Sequence, residues 1–142
     1  MITFTVYGTP QPAGSKRAMQ HPVTQRIVVL DAAKNSRPWK NDVAETALQS
    51  MTALEPLEGP LILSLVFYVQ RPKGHYGKRG LRPSAPRFPA VRPDVTKLIR
   101  AVEDAMTGIV WRDDAQVVDQ HALKRYGEPA RCEITVGAAE AI

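Results

Sequence analysis

The chain has 142 residues, 44% of them apolar, which is enough for one core and too many for a disordered chain. Lys and Arg number 19 against 14 Asp and Glu, a net charge of +5 that leans toward a polyanionic partner. The single cysteine, Cys132, excludes an intramolecular disulfide and a cysteine-based zinc site within one chain, and the longest apolar run, Leu61 to Val69, is far too short to span a bilayer.

Ile2 to Tyr7 alternates and is rich in β-formers, which predicts a first strand closed by Gly8-Thr9-Pro10. No basic region followed by an apolar run opens the chain, so no signal peptide is expected. The stretch TPQPAGSKRAMQHP reads as a loop carrying Lys16 and Arg17. Its glycine and two cations suit a phosphate grip, and a solvated basic turn explains them about as well. Arg26 to Asp31 reads as a second strand. Ser36 fits an N-cap with Pro38 in the first turn. Trp39, Val43, Ala47 and Met51 recur every four residues, predicting a helix over about 38–52.

The segment GPLILSLVFYVQRP is near-continuously apolar, as in a central strand. Residues 71–92 follow as a long surface loop without periodicity. Its cations Lys73, Lys78, Arg79, Arg82 and Arg87 are interleaved with Tyr76 and Phe88, and its prolines keep it extended. That composition suits nucleic acid, with a merely solvated loop as the alternative. Leu98, Ile99, Val102, Ala105 and Met106 make the apolar stripe of a second helix stopped by Gly108. Gln116 to Tyr126 and Ala130 to Val136 read as strands joined by Gly127-Glu128-Pro129. The order β-β-α-β-α-β-β suggests one α+β domain over residues 1–142, a mixed sheet with two main helices packed on it.

Acids flank the second helix: Asp94 at its start, Asp113 and Asp114 in the turn after it. Asp94 reads equally as a helix cap and Asp113 as a turn residue. Arg100 and Asp104 are spaced for a surface salt bridge, Glu103 is expected to face solvent, and Trp111 suits the core. If the segment after Gly108 folds back along the helix, the acids meet, and a hard cation such as Mg²⁺ or Mn²⁺ would neutralise them and bridge to a phosphate. His21, His75 and His121 lack the spacing of metal ligands, and no phosphate-binding or dinucleotide loop is found.

The run RPDVTKLIRAVEDAMTGIVWRDDAQVVDQHALKRYGE resembles the RusA family of Holliday-junction resolvases. Its pattern is met by Pro93, Asp94, Lys97, Leu98, Ala101, Asp104, Ala105, Asp113, Asp114, Gln116 and Val117. The resemblance implies a homodimeric α+β fold and Mg²⁺-dependent paired nicking of four-way DNA junctions, with Mn²⁺ as a substitute. It implies no small-molecule cofactor and no membrane, and a phage- or prophage-encoded protein of the host cytoplasm. Of the family's essential residues, the first acid carries over to Asp94. The acid of the double-Asp turn carries over to Asp114, with Asp113 beside it. The middle acid falls on Thr96 and the lysine on Arg100, two departures from the pattern. The resemblance further implies that the strand after the helix returns so that Asp114 meets Asp94 over one metal. Either the site works with fewer acids, or activity is weakened, or Asp104 or, as the better placed, Asp113 substitutes for the missing acid, and Arg100 or Lys97 stabilises the developing charge. The basic loops, with Lys16, Arg17 and the cations of 71–92, would track phosphates. The competing expectations are a branched-DNA-binding protein of the same fold that has lost cleavage, and a general RNA- or DNA-binding module.

Overall fold

The elements run, in chain order, β1 (Ile2–Tyr7), β2 (Lys16–Gln20), β3 (Ile27–Asp31), α1 (Ser36–Ser50), β4 (Leu61–Val69), β5 (Tyr76–Gly77), β6 (Gly80–Leu81), α2 (Val95–Met106), β7 (Val117–Tyr126) and β8 (Arg131–Ala138). The computed structural model describes residues 1–14, 16–31, 35–52 and 54–140, with the backbone alone described at 16–19 and 28–31.

A strand as apolar as β4 needs ladder partners on both edges and cover on a face. It has both. β4 pairs antiparallel with β8 on one side and parallel with β7 on the other. β1 pairs antiparallel with the far edge of β8, giving a mixed four-stranded sheet in the order β1-β8-β4-β7. Leu61, Leu63, Leu65 and Phe67 are buried, and the residues between them are half-buried. They share one core with Phe4 and Val6 of β1, Cys132, Ile134 and Val136 of β8, and the inner faces of α1 and α2. Both helices therefore lie on one face of the sheet, in two layers. Each fully buried Leu or Phe contributes about 1.5–3 kcal/mol of apolar transfer.

The helix α1 buries Trp39, Val43 and Ala47 and ends on Met51, the four-residue recurrence read from the sequence. It starts earlier than expected. Ser36 is its first helical residue and is itself buried, and Asn35 occupies the cap without a side-chain bond. α2 buries Leu98, Ala101, Val102 and Met106, with Ile99 packed partly against the core. Gly108 ends it with φ +90°, a conformation that favours glycine. Trp111 is fully buried, as expected, and its indole Nε1 donates to Thr107 Oγ1 at 3.1 Å.

Two stretches read as loops carry strands. β2 lies inside the Pro- and Gly-rich stretch before residue 22 and pairs antiparallel with β3, Lys16 opposite Asp31 and Gln20 opposite Ile27. The segment 71–92 holds a helical turn at 73–75 and the hairpin β5–β6. In both cases a partner strand, invisible to local composition, decides the conformation.

β7 and β8 are consecutive in the chain yet not neighbours in the sheet, because β4 lies between them. Their short connection passes over the end of β4, where Gly127 N donates to Val69 O at 3.1 Å. A Cβ on Gly127 would stand 2.5 Å from Tyr68 Cδ1, so only glycine lets the chain cross there. Among the described residues no helix is long and apolar enough to cross a membrane.

Burial, with Glu133 beside it, pushes the Cys132 thiol up. We expect iodoacetamide at about pH 8 to leave Cys132 unmodified in the native protein and to label it fully in denaturant, read by intact mass. Native labelling as fast as in denaturant would contradict the β8 packing.

Candidate functional site

The two ends of α2 carry different chemistry. At its start Asp94 is the N-cap, its Oδ1 accepting from the backbone N–H of Lys97 at 2.9 Å. A carboxylate here satisfies an orphan donor and faces the positive end of the helix dipole. The β1–β2 connection packs on this turn, with buried Ala13 donating its N–H to Lys97 O at 3.0 Å. Between them opens a cleft of about 610 Å³, where Thr9 and Gln11 face Arg92, Asp94 and Lys97. The sequence reading missed Lys124 of β7. Its Nζ donates to the carbonyls of Val91 at 2.7 Å and Pro93 at 2.8 Å, holding the chain that enters the cap.

At the other end β7 meets α2 again. Gln120 Nε2 donates to Glu103 Oε1. Lys124 lies at the start of α2 and Gln120 near its end, so the helix and the strand run antiparallel. Glu103, expected in solvent, is half-buried. Burial raises its pKa, and the charges of Asp114 and Asp104 add to that, against the lowering by the Gln120 bond. Asp114 is thus close enough for its charge to act on Glu103. Asp94 and Glu103 are nine positions apart on the sequence, about 13 Å along a helix axis, and ligands of one Mg²⁺ stand about 2 Å from the ion. Asp94 stands at the start of α2, while the charge of Asp114 acts on Glu103 nearer its end. The antiparallel course of β7 carries the turn before it toward the end of α2.

Asp113 and Gln116 build that turn. Asp113 Oδ1 accepts from Ala115 N at 2.9 Å, and Gln116 Oε1 accepts from the N–H groups of Arg112 and Asp113. Gln116 Nε2 donates to the carbonyls of Leu57 and Gly59, tying the turn to the approach to β4. One oxygen of Asp113 is therefore engaged in the turn, while Asp114 makes no side-chain hydrogen bond or ion pair among the described residues. Thr96 and Arg100 are exposed and share one helix row with Glu103. Arg100 does not pair with Asp104 as its spacing suggested. Asp104 lies toward α1 and takes Lys40 Nζ at 3.3 Å, an exposed pair of small energetic value.

The basic segment divides by role. Lys73, Lys78 and Arg79 are exposed around the β5–β6 hairpin. Arg82 braces that hairpin, its Nε donating to Tyr76 O at 3.2 Å, and Arg87 lies over Phe88. Lys16 and Arg17 have their backbone on β2, and their side chains lie outside the described residues.

A family model described as Endodeoxyribonuclease RusA matches residues 8–137. The chain belongs to the RusA family. It is also 30% identical over 138 residues to a protein of Bacillus subtilis (strain 168) named Uncharacterized protein YqaN, an alignment covering 95% of this chain and 94% of that one. RusA proteins are endodeoxyribonucleases, so the acids and exposed cations belong to a fold that acts on DNA. Among the described residues no three or more His, Cys, Asp and Glu gather closely enough to hold a metal. Mg²⁺ is also held more loosely, by one or two carboxylates with water and substrate phosphate completing the shell.

Two outcomes test this geometry. Because the fold favours protonated Glu103, its ionised form costs stability as pH rises through the raised pKa. Glu103→Gln is expected to melt above wild type at about pH 8, and the gap should close toward pH ~3, where Glu is protonated in both states. A constant gap would place Glu103 in solvent. Gln116→Ala strips bonds from both the turn and the Leu57–Gly59 approach, and should cost about 1–3 kcal/mol in urea unfolding.

Proposed function

We propose that this RusA-family protein is a divalent-metal-dependent, structure-selective endodeoxyribonuclease that, as a homodimer, resolves four-way DNA junctions by paired nicks. What supports the reading is the family match over residues 8–137, together with the electrostatic influence of Asp114 on Glu103, a residue of the Arg100 helix row. Glu103 and Asp114 would hold Mg²⁺, with Mn²⁺ as a substitute. The ion, when bound, supplies Lewis-acid polarisation of a phosphoryl oxygen. Arg100, on the same row as Glu103, answers the negative charge that gathers on the phosphate in the transition state. Asp113 sets the turn that presents Asp114. Asp94 keeps the family's first acid at the other end of α2, with one oxygen left beyond its cap bond. Lys97 shares its cleft and contacts the DNA backbone there, while Lys73, Lys78 and Arg79 follow phosphates further out. Two copies about a two-fold axis suit two nicks in opposing strands.

The test is a labelled four-way junction in Mg²⁺, with a linear duplex alongside. Asp94→Asn and Asp114→Asn are well suited to it. Asn caps a helix as well as Asp, so Asp94→Asn removes charge and keeps the fold, and the Asp114 side chain holds no structural bond among the described residues. We expect symmetrical nicks in the junction only. Asp114→Asn should lower them by about 100-fold or more with junction binding kept or tightened. Normal nicking by Asp114→Asn would remove it from the site. A second reading, junction binding without cleavage, is favoured by Thr96 and Arg100 standing where the family pattern has an acid and a lysine. Tight binding with no nicks in Mg²⁺ or Mn²⁺ would select it.

A further inference from the structure

We infer that the cleft between the 71–92 segment and the end of β7 is a docking site for an unstacked nucleobase and its phosphate. It is built apart from the acids and rests on the DNA-acting reading above only for the kind of polymer it meets. The cleft has a volume of about 280 Å³ and is lined by Arg71, Tyr76, Arg87, Phe88, Arg125 and Tyr126, three guanidinium groups and three aromatic rings.

Its inner wall is held in place. The Arg71 guanidinium lies over the Tyr126 ring at 4.3 Å, and its Nη1 donates to Pro86 O at 2.6 Å. His75 meets the same ring edge-on at 5.4 Å. Its outer wall is open. Arg87 and Arg125 stand over Phe88 at 5.3 and 5.1 Å, yet Phe88 is 48% exposed and Tyr76 42% exposed. Large rings left in water beside guanidinium groups make a surface on which a base stacks, and the planar cations take both base faces and phosphate oxygens. Glu128, the acid that also lines the cleft, disfavours phosphate on its own side and leaves it to Arg87 and Arg125.

The occupant is a base with a bare face. Inside a continuous duplex every base face is covered by the next pair, so the rings could reach only sugar and groove edges. A branch point or a single-stranded stretch is where DNA offers an uncovered face. Shape-selective binding with no base-edge readout is what such a cleft supports, since every base has a π-face.

The test uses the full chain in EDTA, so nicking plays no part and failure of the nuclease reading leaves the result intact. Binding of a fluorescent oligo(dT) is followed by anisotropy over a salt series. Phe88→Ala is expected to weaken binding roughly tenfold or more with no change in the salt slope, because a stack and no charge is lost. Arg125→Gln should lower the slope by about 0.7. Phe88→Trp should restore affinity, and Tyr76→Ala serves as a second stacking variant should Phe88→Ala fold poorly. An oligonucleotide carrying 5-iodouracil should cross-link on irradiation to peptides containing Tyr76, Phe88 or Tyr126. Wild-type affinity in both ring variants, cross-links only elsewhere, or no affinity of the wild type for oligo(dT) would overturn the inference.

Discussion

The rotation of α2 about its own axis is set by four side chains. Leu98, Ala101, Val102 and Met106 must all reach the sheet, and no other rotation buries the four together. Successive helical residues are about 100° apart, so fixing that inner face also fixes both flanks. One flank meets α1, where Asp104 takes Lys40. The other meets β7, where Glu103 takes Gln120 and, a turn or two earlier, Arg100 and Thr96 point the same way. The core thus decides which polar residues can face a phosphate, and β7 pins the choice at two places, through Gln120 and through Lys124 at the entry to the helix.

That dependence explains what the sequence made legible and what it hid. The stripe on α2, the four-residue recurrence on α1 and the apolar run of β4 are local patterns, and each identifies a buried face from neighbouring residues alone. The cap of Asp94, the stop at Gly108 and the burial of Trp111 are local in the same sense. Glu103, Gln120 and Lys124 are different. Each looks like an ordinary exposed residue until the direction of β7 is known, and that direction comes from a parallel pairing with a strand more than fifty positions earlier. β2 was hidden for a related reason, since a Pro- and Gly-rich stretch becomes a strand only through β3.

The double aspartate shows a division of labour between adjacent residues. Asp113 and Gln116 absorb the backbone donors of the turn, and Gln116 also ties the turn to Leu57 and Gly59. Among the described residues the Asp114 side chain makes no hydrogen bond or ion pair, and its charge acts on Glu103. Burial first and the charge of Asp114 second disfavour ionised Glu103, so that end of α2 gives up stability at neutral pH on a chain of net charge +5. Stability given up in one place is the usual mark of a binding requirement in another.

The sheet order has a kinetic consequence. β7 and β8 are joined by a tight connection yet cannot pair as a hairpin, because β4 occupies the place between them. Every ladder of the four-stranded sheet joins strands distant in sequence: Ile2 finds Val136, Leu61 finds Val117 and Ala138. Loop-closure entropy must be met before any of these contacts forms, which places the protein among slow, high-contact-order folders. During synthesis β1 and β4 both emerge without their common partner β8. Their apolar faces wait, with α1 as interim cover, until the ribosome has released nearly all of the residues described here.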